Sequence, residues 1–347
     1  MCRAHMPVCY LKKEEFCGGP LIPDPSIWQP AFTLQANFLG SGGLFLCFSF
    51  HHSVMDEWSV GLFLEKLAWG IHSPEVFTRE VVYGGPSAAQ FSQYVVPGAA
   101  ATMFDFPEWS ISDIIVNGVP EYEDKPTNYI FIMSAARALQ WSVKIIHCLR
   151  GNLIPDAVKI IDCLVGMIWV EIIRAGQISA HAPNRDVRLY IDINTRTQLQ
   201  PSLGDTYFGN MSANSVGYIR NGDEIMETEG EDDYFHEQSI RWFAQATRVV
   251  FAAKEKLDNV YIRRRITTLA NLTKPVEIQK FAEDAITCSK SSTKMCDVGY
   301  GADLPFGIPG AGCGGNDGRP RFIRRPWIND SRGVISVVPR QSGNEAN

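Results

Sequence analysis

Gly43-Leu44-Phe45-Leu46-Cys47-Phe48-Ser49-Phe50-His51-His52-Ser53-Val54-Met55-Asp56 begins with one hydrophobic period and leads into another. Leu44, Leu46, Phe48 and Phe50 fall on one face, and Phe45, Cys47, Ser49 and His51 on the other, which is the alternation of a β-strand. Beyond Asp56 the apolar positions are Val60, Phe63, Leu64, Leu67 and Ala68, the stripe of a helix. Residues 51–57 therefore occupy a strand-to-helix junction, where rigid elements on both sides can hold side chains toward a cavity. The preceding Gly40-Ser41-Gly42-Gly43 lacks the dinucleotide fingerprint and reads as a turn.

Further along, Gly84 to Asp124 is rich in Gly, Pro and acidic residues and weak in periodicity, so it reads as a long crossover between two domains. Tyr129 to Met133 is expected to be a short strand. Ala135 to Leu149 is expected to be an amphipathic helix with Leu139, Val143 and Ile146 on its apolar face, joined by Trp141. Pro155-Asp156 is expected to open a helix carrying Ile161, Leu164, Val165, Ile168, Trp169 and Ile172. Val187, Leu189, Ile191 and Ile193 alternate with polar residues and mark a half-buried strand. A polar loop follows over 195–210, the acidic run Glu227 to Asp233 reads as a solvated loop, Phe235 to Leu257 as a long helix, and Val334 to Val338 as a terminal strand. No internal repeat is evident.

The chain has 347 residues, 45% of them hydrophobic, enough for two packed domains. A formal net charge of -6 and a pI near 5.7 offer no basic face to a nucleic acid. Cysteines stand at Cys2, Cys9, Cys17, Cys47, Cys148, Cys163, Cys288, Cys296 and Cys313, an odd count without CxxC spacing, which favours reduced thiols over a disulfide frame or zinc site. No signal peptide or membrane span is evident, since the apolar stretch Leu34 to Phe50 is broken by Gly40, Gly42 and Gly43. The expectation is a cytoplasmic protein with neither a nucleic-acid nor a membrane partner. The Gly-rich tract Gly307 to Gly318 lacks Gly-Lys-Ser/Thr and a following helix pattern, so it is not a phosphate-binding loop of that kind.

His51-His52-Ser53-Val54-Met55-Asp56 is the sharpest chemical feature. By itself it has three readings: a hydrogen-bonded structural histidine, a catalytic base, or His52 and Asp56 as metal ligands. The metal reading lacks a third ligand at a familiar spacing, and HExxH is absent. Cys47 reads as core packing rather than a nucleophile. The basic groups Arg263-Arg264-Arg265 and Arg319, Arg321, Arg324 and Arg325 read first as solvated faces and second as phosphate contacts.

The order of four blocks adds a resemblance. HHxxxD at 51–56 after an apolar strand, then Asp162-Cys163-Leu164-Val165 with Trp169 and Arg174, then Asn194-Thr195-Arg196 leading through Leu199 and Pro201 to Tyr207-Phe208-Gly209-Asn210, then Asp297-Val298-Gly299-Tyr300-Gly301 ahead of Arg321 to Arg340, resemble the BAHD family of CoA-dependent acyltransferases in its fungal, trichothecene-acetyltransferase-like form. The resemblance implies an α/β fold of two chloramphenicol-acetyltransferase-like domains, each a mixed sheet with packed helices, with a channel between them. The division expected is 1–95 for the first domain, 96–126 for the crossover and 127–347 for the second. It implies a monomer that moves an acyl group, acetyl above all, from acyl-CoA to a hydroxyl or amine of a small secondary metabolite. Acyl-CoA would be a co-substrate, with no permanently bound cofactor and no metal.

His52 is implied as the general base, because a neutral imidazole can take the proton of an alcohol as it attacks a thioester. Asp56 is implied to turn away from substrate and pair with an arginine, with Arg196 a candidate partner for either Asp56 or Asp297. Asp297, Gly299 and Gly301 are implied as structural support, and Thr287, Ser289, Tyr207 and Asn210 as weaker candidates for the channel. This chain departs from the family pattern in having Glu57 where glycine is usual, and Thr287-Cys288-Ser289 where Thr-Ser-Trp and an oxyanion donor are usual. The HHxxxD motif also comes earlier than the family pattern, which leaves the first domain incomplete relative to the family and is expected from a truncated gene model, a degenerate paralogue or a partner that covers the gap. These departures favour, as the alternative, a catalytically weak homologue that binds small molecules or a partner. A condensation-type domain using a carrier thioester is a third reading, disfavoured by the YFGN and DFGWG-like blocks.

Overall fold

The computed structural model describes residues 13–19, 27–40, 44–52, 54–72, 91–96, 105–108, 131, 133–149, 157–175, 186–220, 237–271, 285–290 and 334–337. The elements in chain order are α1 (Lys13–Phe16), β1 (Phe32–Phe38), β2 (Leu44–Phe50), α2 (Glu57–His72), α3 (Ala135–Leu149), α4 (Ile160–Arg174), β3 (Asp186–Asn194), β4 (Ser212–Arg220), α5 (Glu237–Glu255), α6 (Asn259–Asn271), β5 (Ala285–Lys290) and β6 (Val334–Val337).

β1 and β2 pair antiparallel, with Phe32 opposite Phe50 and Phe38 opposite Leu44. One face gathers Phe32, Phe48 and Phe50 against Phe63 of α2, with ring centroids 5.1 Å apart for Phe32–Phe63 and 5.4 Å for Phe50–Phe63. Val60, Leu64, Leu67 and Ala68 extend this cluster, so the helical stripe read after Asp56 is the face that packs. Residues 15–19 lie over the opposite face. The ring of Phe16 meets that of Phe45 edge-on, Gln35 Nε2 donates to Glu15 O at 3.0 Å, and the Cys17 and Cys47 sulfurs are 3.1 Å apart as free thiols.

The larger sheet is mixed, in the order β4-β3-β5-β6. β3 pairs antiparallel with β4 and parallel with β5, and β5 pairs parallel with β6. Its core is built on Val187, Leu189 and Ile191 of β3, covered by Trp169 and Val170 of α4 and by Trp242, Phe243 and Val250 of α5. Gly166 lets α4 approach α5 closely, since a Cβ there would lie 2.7 Å from the Thr247 amide nitrogen.

Three expectations about helices and strands are corrected. First, α3 spans the predicted residues, but Leu139 and Val143 are 51% and 57% exposed, whereas Ser142, Ile145 and Leu149 are buried. The edge contact of Trp141 with Phe243 sets this rotation, and Ser142 can be buried because its hydroxyl donates to Ala138 O at 2.8 Å. Second, α4 begins at Ile160 rather than at Pro155-Asp156: the Asp162 carboxylate accepts the Lys159 amide at 3.0 Å and fixes the start there. Third, Phe131 and Met133, the described residues of the strand expected over 129–133, belong to no strand, and Phe131 is 91% exposed. The acidic run at 227–233, the Gly-rich tract at 307–318 and the arginines at 319–325 lie outside the described residues.

The described pieces of the crossover are pinned to the second half of the chain. Tyr94 is buried with Leu199, Met211, Leu257 and Ile262, and the ring of Phe106 meets that of Tyr261 edge-on. The Arg263-Arg264-Arg265 run of α6 supplies the fastening. Arg263 Nη2 donates to Gln93 O at 2.8 Å, Arg264 pairs with Asp105 at 3.1 Å, and Arg265 pairs with Glu108 at 2.6 Å. Arg265 is therefore a buried ion-pair partner, not part of a solvated basic face.

Candidate active site

The junction after β2 is tied at both ends. His51 N donates to Ala31 O, and Val54 N to His51 O, both at 2.9 Å, so the chain turns sharply around His52. Met55 and Asp56 are buried, and Asp56 caps α2: its Oδ1 accepts the Ser59 amide at 2.9 Å and its carbonyl the Val60 amide. The imidazole of His52 is exposed. Glu57 occupies the first turn of α2, where a carboxylate complements the positive end of the helix.

Asp56 meets Arg196 from the loop between β3 and β4. Arg196 Nη1 donates to Asp56 Oδ2 at 2.8 Å and Nη2 to Oδ1 at 2.9 Å, a two-pronged pair in which Arg196 is 0% and Asp56 3% exposed. The other guanidinium bonds go to Asn194 Oδ1 at 3.0 Å, Ser59 Oγ at 2.9 Å, Gly209 O at 2.7 Å and, from Nε, Tyr207 O at 3.1 Å. Asp56 Oδ2 also accepts the Met211 amide at 2.8 Å. Burial pushes the Asp56 carboxyl upward, but the Arg196 bonds and the Met211 and Ser59 amides outweigh it and hold the group below the ordinary carboxylate range. Asp56 is thus a charged anchor rather than a proton donor.

Ser59 completes the hub. Its hydroxyl donates to Gly209 O at 2.8 Å and accepts the Gly209 amide at 2.9 Å. Gly209 has φ +149, and a Cβ there would stand 2.5 Å from the Tyr207 hydroxyl, so the position requires glycine. Trp58 Nε1 donates to Asp205 O at 2.9 Å, a second link from α2 to the same loop.

Of the residues expected at the site, His52, Asp56, Arg196, Tyr207 and Asn210 come together. Tyr207 packs with its ring 5.4 Å from the Arg196 guanidinium, and burial raises its hydroxyl pKa. Asn210 Nδ2 donates to His52 O at 2.5 Å. Thr287 and Ser289 lie on β5, in register with Tyr190 of β3 and with Val334 and Ser336 of β6. Asp297, Gly299 and Gly301 lie outside the described residues, so of the two acids offered as partners for Arg196 the observed one is Asp56. Ser59 was not anticipated from the sequence; the available signal was its place three residues after a capping aspartate, too common a pattern to single it out. No cluster of three or more His, Cys, Asp or Glu suited to a metal occurs among the described residues. A cleft of about 330 Å³ between α3 and α5 is lined by Lys144, His147, Cys148, Glu237, Ile240 and Arg241, none of which belongs to the His52–Arg196 cluster. Its lining residues belong to none of the blocks that carry the family resemblance, so the functional assignment follows the cluster instead.

Comparison with known proteins bears on the family and the fold of the whole chain. The chain is 22% identical to the O-acetyltransferase ptmV of Penicillium ochrochloron, over 95% of its own length and 69% of that protein's. It is 23% identical to the trichothecene 8-O-acetyltransferase of Fusarium sporotrichioides over 43% of this chain and 30% of that one. Among solved structures, F. sporotrichioides TRI101 complexed with coenzyme A and T-2 matches with a TM-score of 0.57 at 15% identity, covering 96% of this chain and 68% of that one. Vinorine synthase matches with a TM-score of 0.54 at 14% identity, over 99% and 68%. These likenesses give the chain the two-domain, chloramphenicol-acetyltransferase-like α/β fold expected from its sequence. The Transferase family model matches residues 21–342, and with nearly the whole length so matched the chain belongs to that family, the BAHD acyltransferases.

Proposed function

We propose that the protein transfers an acyl group, acetyl above all, from acyl-CoA to a hydroxyl or amine of a small secondary metabolite, with His52 as general base. The observation that carries this reading is the position of His52 between a strand end and a helix start whose capping residue is locked by Arg196. An imidazole on such a frame can reach reactants without folding cost at each turnover, and its exposure leaves it open to them. The relatives named for acetyl transfer, and the neighbour complexed with coenzyme A and T-2, support the choice of donor and acceptor class.

The chemistry needs no acyl-enzyme. The His52 imidazole removes the acceptor proton as its oxygen or nitrogen attacks the thioester carbonyl, giving a tetrahedral oxyanion. Collapse re-forms the carbonyl, breaks the carbon–sulfur bond and releases the CoA thiolate, which takes the proton back from the imidazolium. Asp56 and Arg196 do not touch the reactants and serve by fixing the junction. The proposed organisation is a cytoplasmic monomer divided at 1–95, 96–126 and 127–347, with Tyr207, Asn210, Thr287 and Ser289 the candidates for the channel and Asp297, Gly299 and Gly301 for its support.

The test is CoA release from acetyl-CoA, followed with a thiol reagent, across a panel of hydroxylated fungal metabolites. Wild type is expected to turn over at least one of them and His52→Ala to lose at least about 100-fold, the scale of general-base catalysis. Equal rates for the two proteins would sink the mechanism. Activity found only in Glu57→Gly would instead favour the catalytically weak binder, since Glu57 takes the position where the resemblance expects glycine.

A further inference from the structure

The turn that carries His52 is held from outside by a side chain whose own backbone is hydrogen-bonded on both flanks. Asn210 Nδ2 donates to the His52 carbonyl at 2.5 Å, across 158 residues of chain. The residues flanking Asn210 are both clamped: Gly209 through its amide and carbonyl by Ser59, and Met211 through its amide by Asp56. Asn210 is exposed, so its amide is not a buried polar group in need of a partner; it reaches out of a rigid loop to one backbone oxygen. An asparagine side chain has only two rotatable bonds between that loop and the turn, and few conformations to lose.

We infer that Asn210 is a positioning residue for the proposed base: by holding the His52 carbonyl it fixes the peptide plane after His52, and with it the direction in which the imidazole leaves the backbone. The inference rests on the reading of His52 as base. It assigns Asn210 a role besides lining a channel: one N–H of its amide is engaged by the turn. Misplacing a catalytic group by about 1 Å costs on the order of 100-fold in rate, so losing this bond should act on turnover rather than on binding.

Asn210→Asp keeps shape and size but turns an acceptor toward an acceptor; Asn210→Ala deletes the arm; Asn210→Gln keeps the amide on a longer stem. The first readout is the histidine ring Cε1–Hε1 signals of protein labelled at its seven histidines, with the His52 signal assigned by its loss in His52→Ala. Asn210→Asp and Asn210→Ala are expected to shift or broaden the His52 signal and leave those of residues remote from the turn in place, with Asn210→Gln intermediate. This readout needs no turnover and decides the matter whatever the acceptor is. An unmoved His52 signal in both the Asp and Ala variants overturns the inference. With acetyl-CoA and deoxynivalenol as the probe pair, the same two variants are expected to lose about 10- to 100-fold in kcat with KM within about threefold. A rise in KM at constant kcat would make Asn210 a ligand contact and also overturn it. His52→Ala at the wild-type rate removes the base reading and this inference together; an inactive His52→Ala beside a fully active Asn210→Asp removes this inference alone.

Discussion

Arg196 grips both carboxylate oxygens of Asp56 across 140 residues of chain, Nη1 on Oδ2 at 2.8 Å and Nη2 on Oδ1 at 2.9 Å. The pair joins the start of α2 to the loop between β3 and β4, and its neighbours Ser59–Gly209, Trp58–Asp205 and Asn210–His52 join the same two places. These bonds are directional, so they set the angle and register of contact between the β1–β2–α2 unit and the larger sheet, which an apolar contact alone would leave looser.

Removing the cation should cost far more than an exposed ion pair would. Arg196→Ala leaves the buried Asp56 with only the Ser59 and Met211 amides, and a loss of about 3–5 kcal/mol is expected in urea denaturation at neutral pH. Arg196→Lys should recover little, because an ammonium cannot grip two oxygens while also reaching Tyr207 O and Gly209 O. A loss under about 1 kcal/mol for Arg196→Ala would show that the pair is not anchored as described.

The same carboxylate gives a pH dependence with a defined sign. Asp56 is held below its ordinary value, so in the unfolded chain it binds a proton near pH 4 while in the native protein it still resists one. The stability it contributes is fully present above the unfolded pKa of about 3.9 and is lost as pH falls through the lower native value. The wild-type urea midpoint should therefore drop below about pH 4, and Asp56→Asn, less stable throughout, should drop less steeply over that interval. Parallel profiles for the two proteins would assign the acid loss to other carboxylates.

Local periodicity made β2, α2, α5 and β3 legible, because each carries a clean alternation or stripe that one face of a core explains. β4 was not legible: Ser212, Asn214, Ser215 and Gly217 interrupt its apolar positions, and only pairing along β3 makes it a strand. α3 was legible as a helix but not in its rotation, since it has apolar residues on two sides and the choice belongs to Phe243. At the site, the ordered blocks brought Asp56 and Arg196 into view, yet the choice of acid partner depends on a contact 140 residues away. Arg265 misled for a related reason. Three consecutive arginines look like a solvated face until Glu108 arrives from the crossover.

Gly166 predicts a packing penalty that a neighbour's truncation will not relieve. A Cβ at this position stands 2.7 Å from both the amide nitrogen and Oγ1 of Thr247 and 3.0 Å from its Cα. Gly166→Ala gains about 1 kcal/mol of helix preference but overpacks the α4–α5 contact, for a net loss of about 1–2 kcal/mol in urea denaturation. Thr247→Ala removes Oγ1 and leaves the backbone atoms, so the double variant should stay below Thr247→Ala alone. Full recovery in the double variant would mean that the hydroxyl, not the backbone, sets the spacing of the two helices.

Two ion pairs on α6, made by adjacent residues in different environments, should differ severalfold in worth. Arg264 and Asp105 are 43% and 38% exposed, so solvent screens them and Arg264→Ala should cost no more than about 1 kcal/mol. Arg265 and Glu108 are 8% and 1% exposed, and Glu108 also accepts the Tyr261 hydroxyl at 2.8 Å. Burial, followed by the bond to Glu108, raises the Tyr261 pKa, which keeps that hydroxyl a donor at any physiological pH. Glu108→Ala therefore leaves a buried guanidinium without its carboxylate and a tyrosine without its acceptor, and about 3–5 kcal/mol should be lost in the same denaturation assay. Burial and the added Tyr261 bond both feed the contrast, since the two pairs link neighbouring residues of one helix to the same stretch of chain, 105–108. Equal losses from the two substitutions would mean that Glu108 is not buried against α6 in solution, and that the crossover is held by Tyr94 and Phe106 instead.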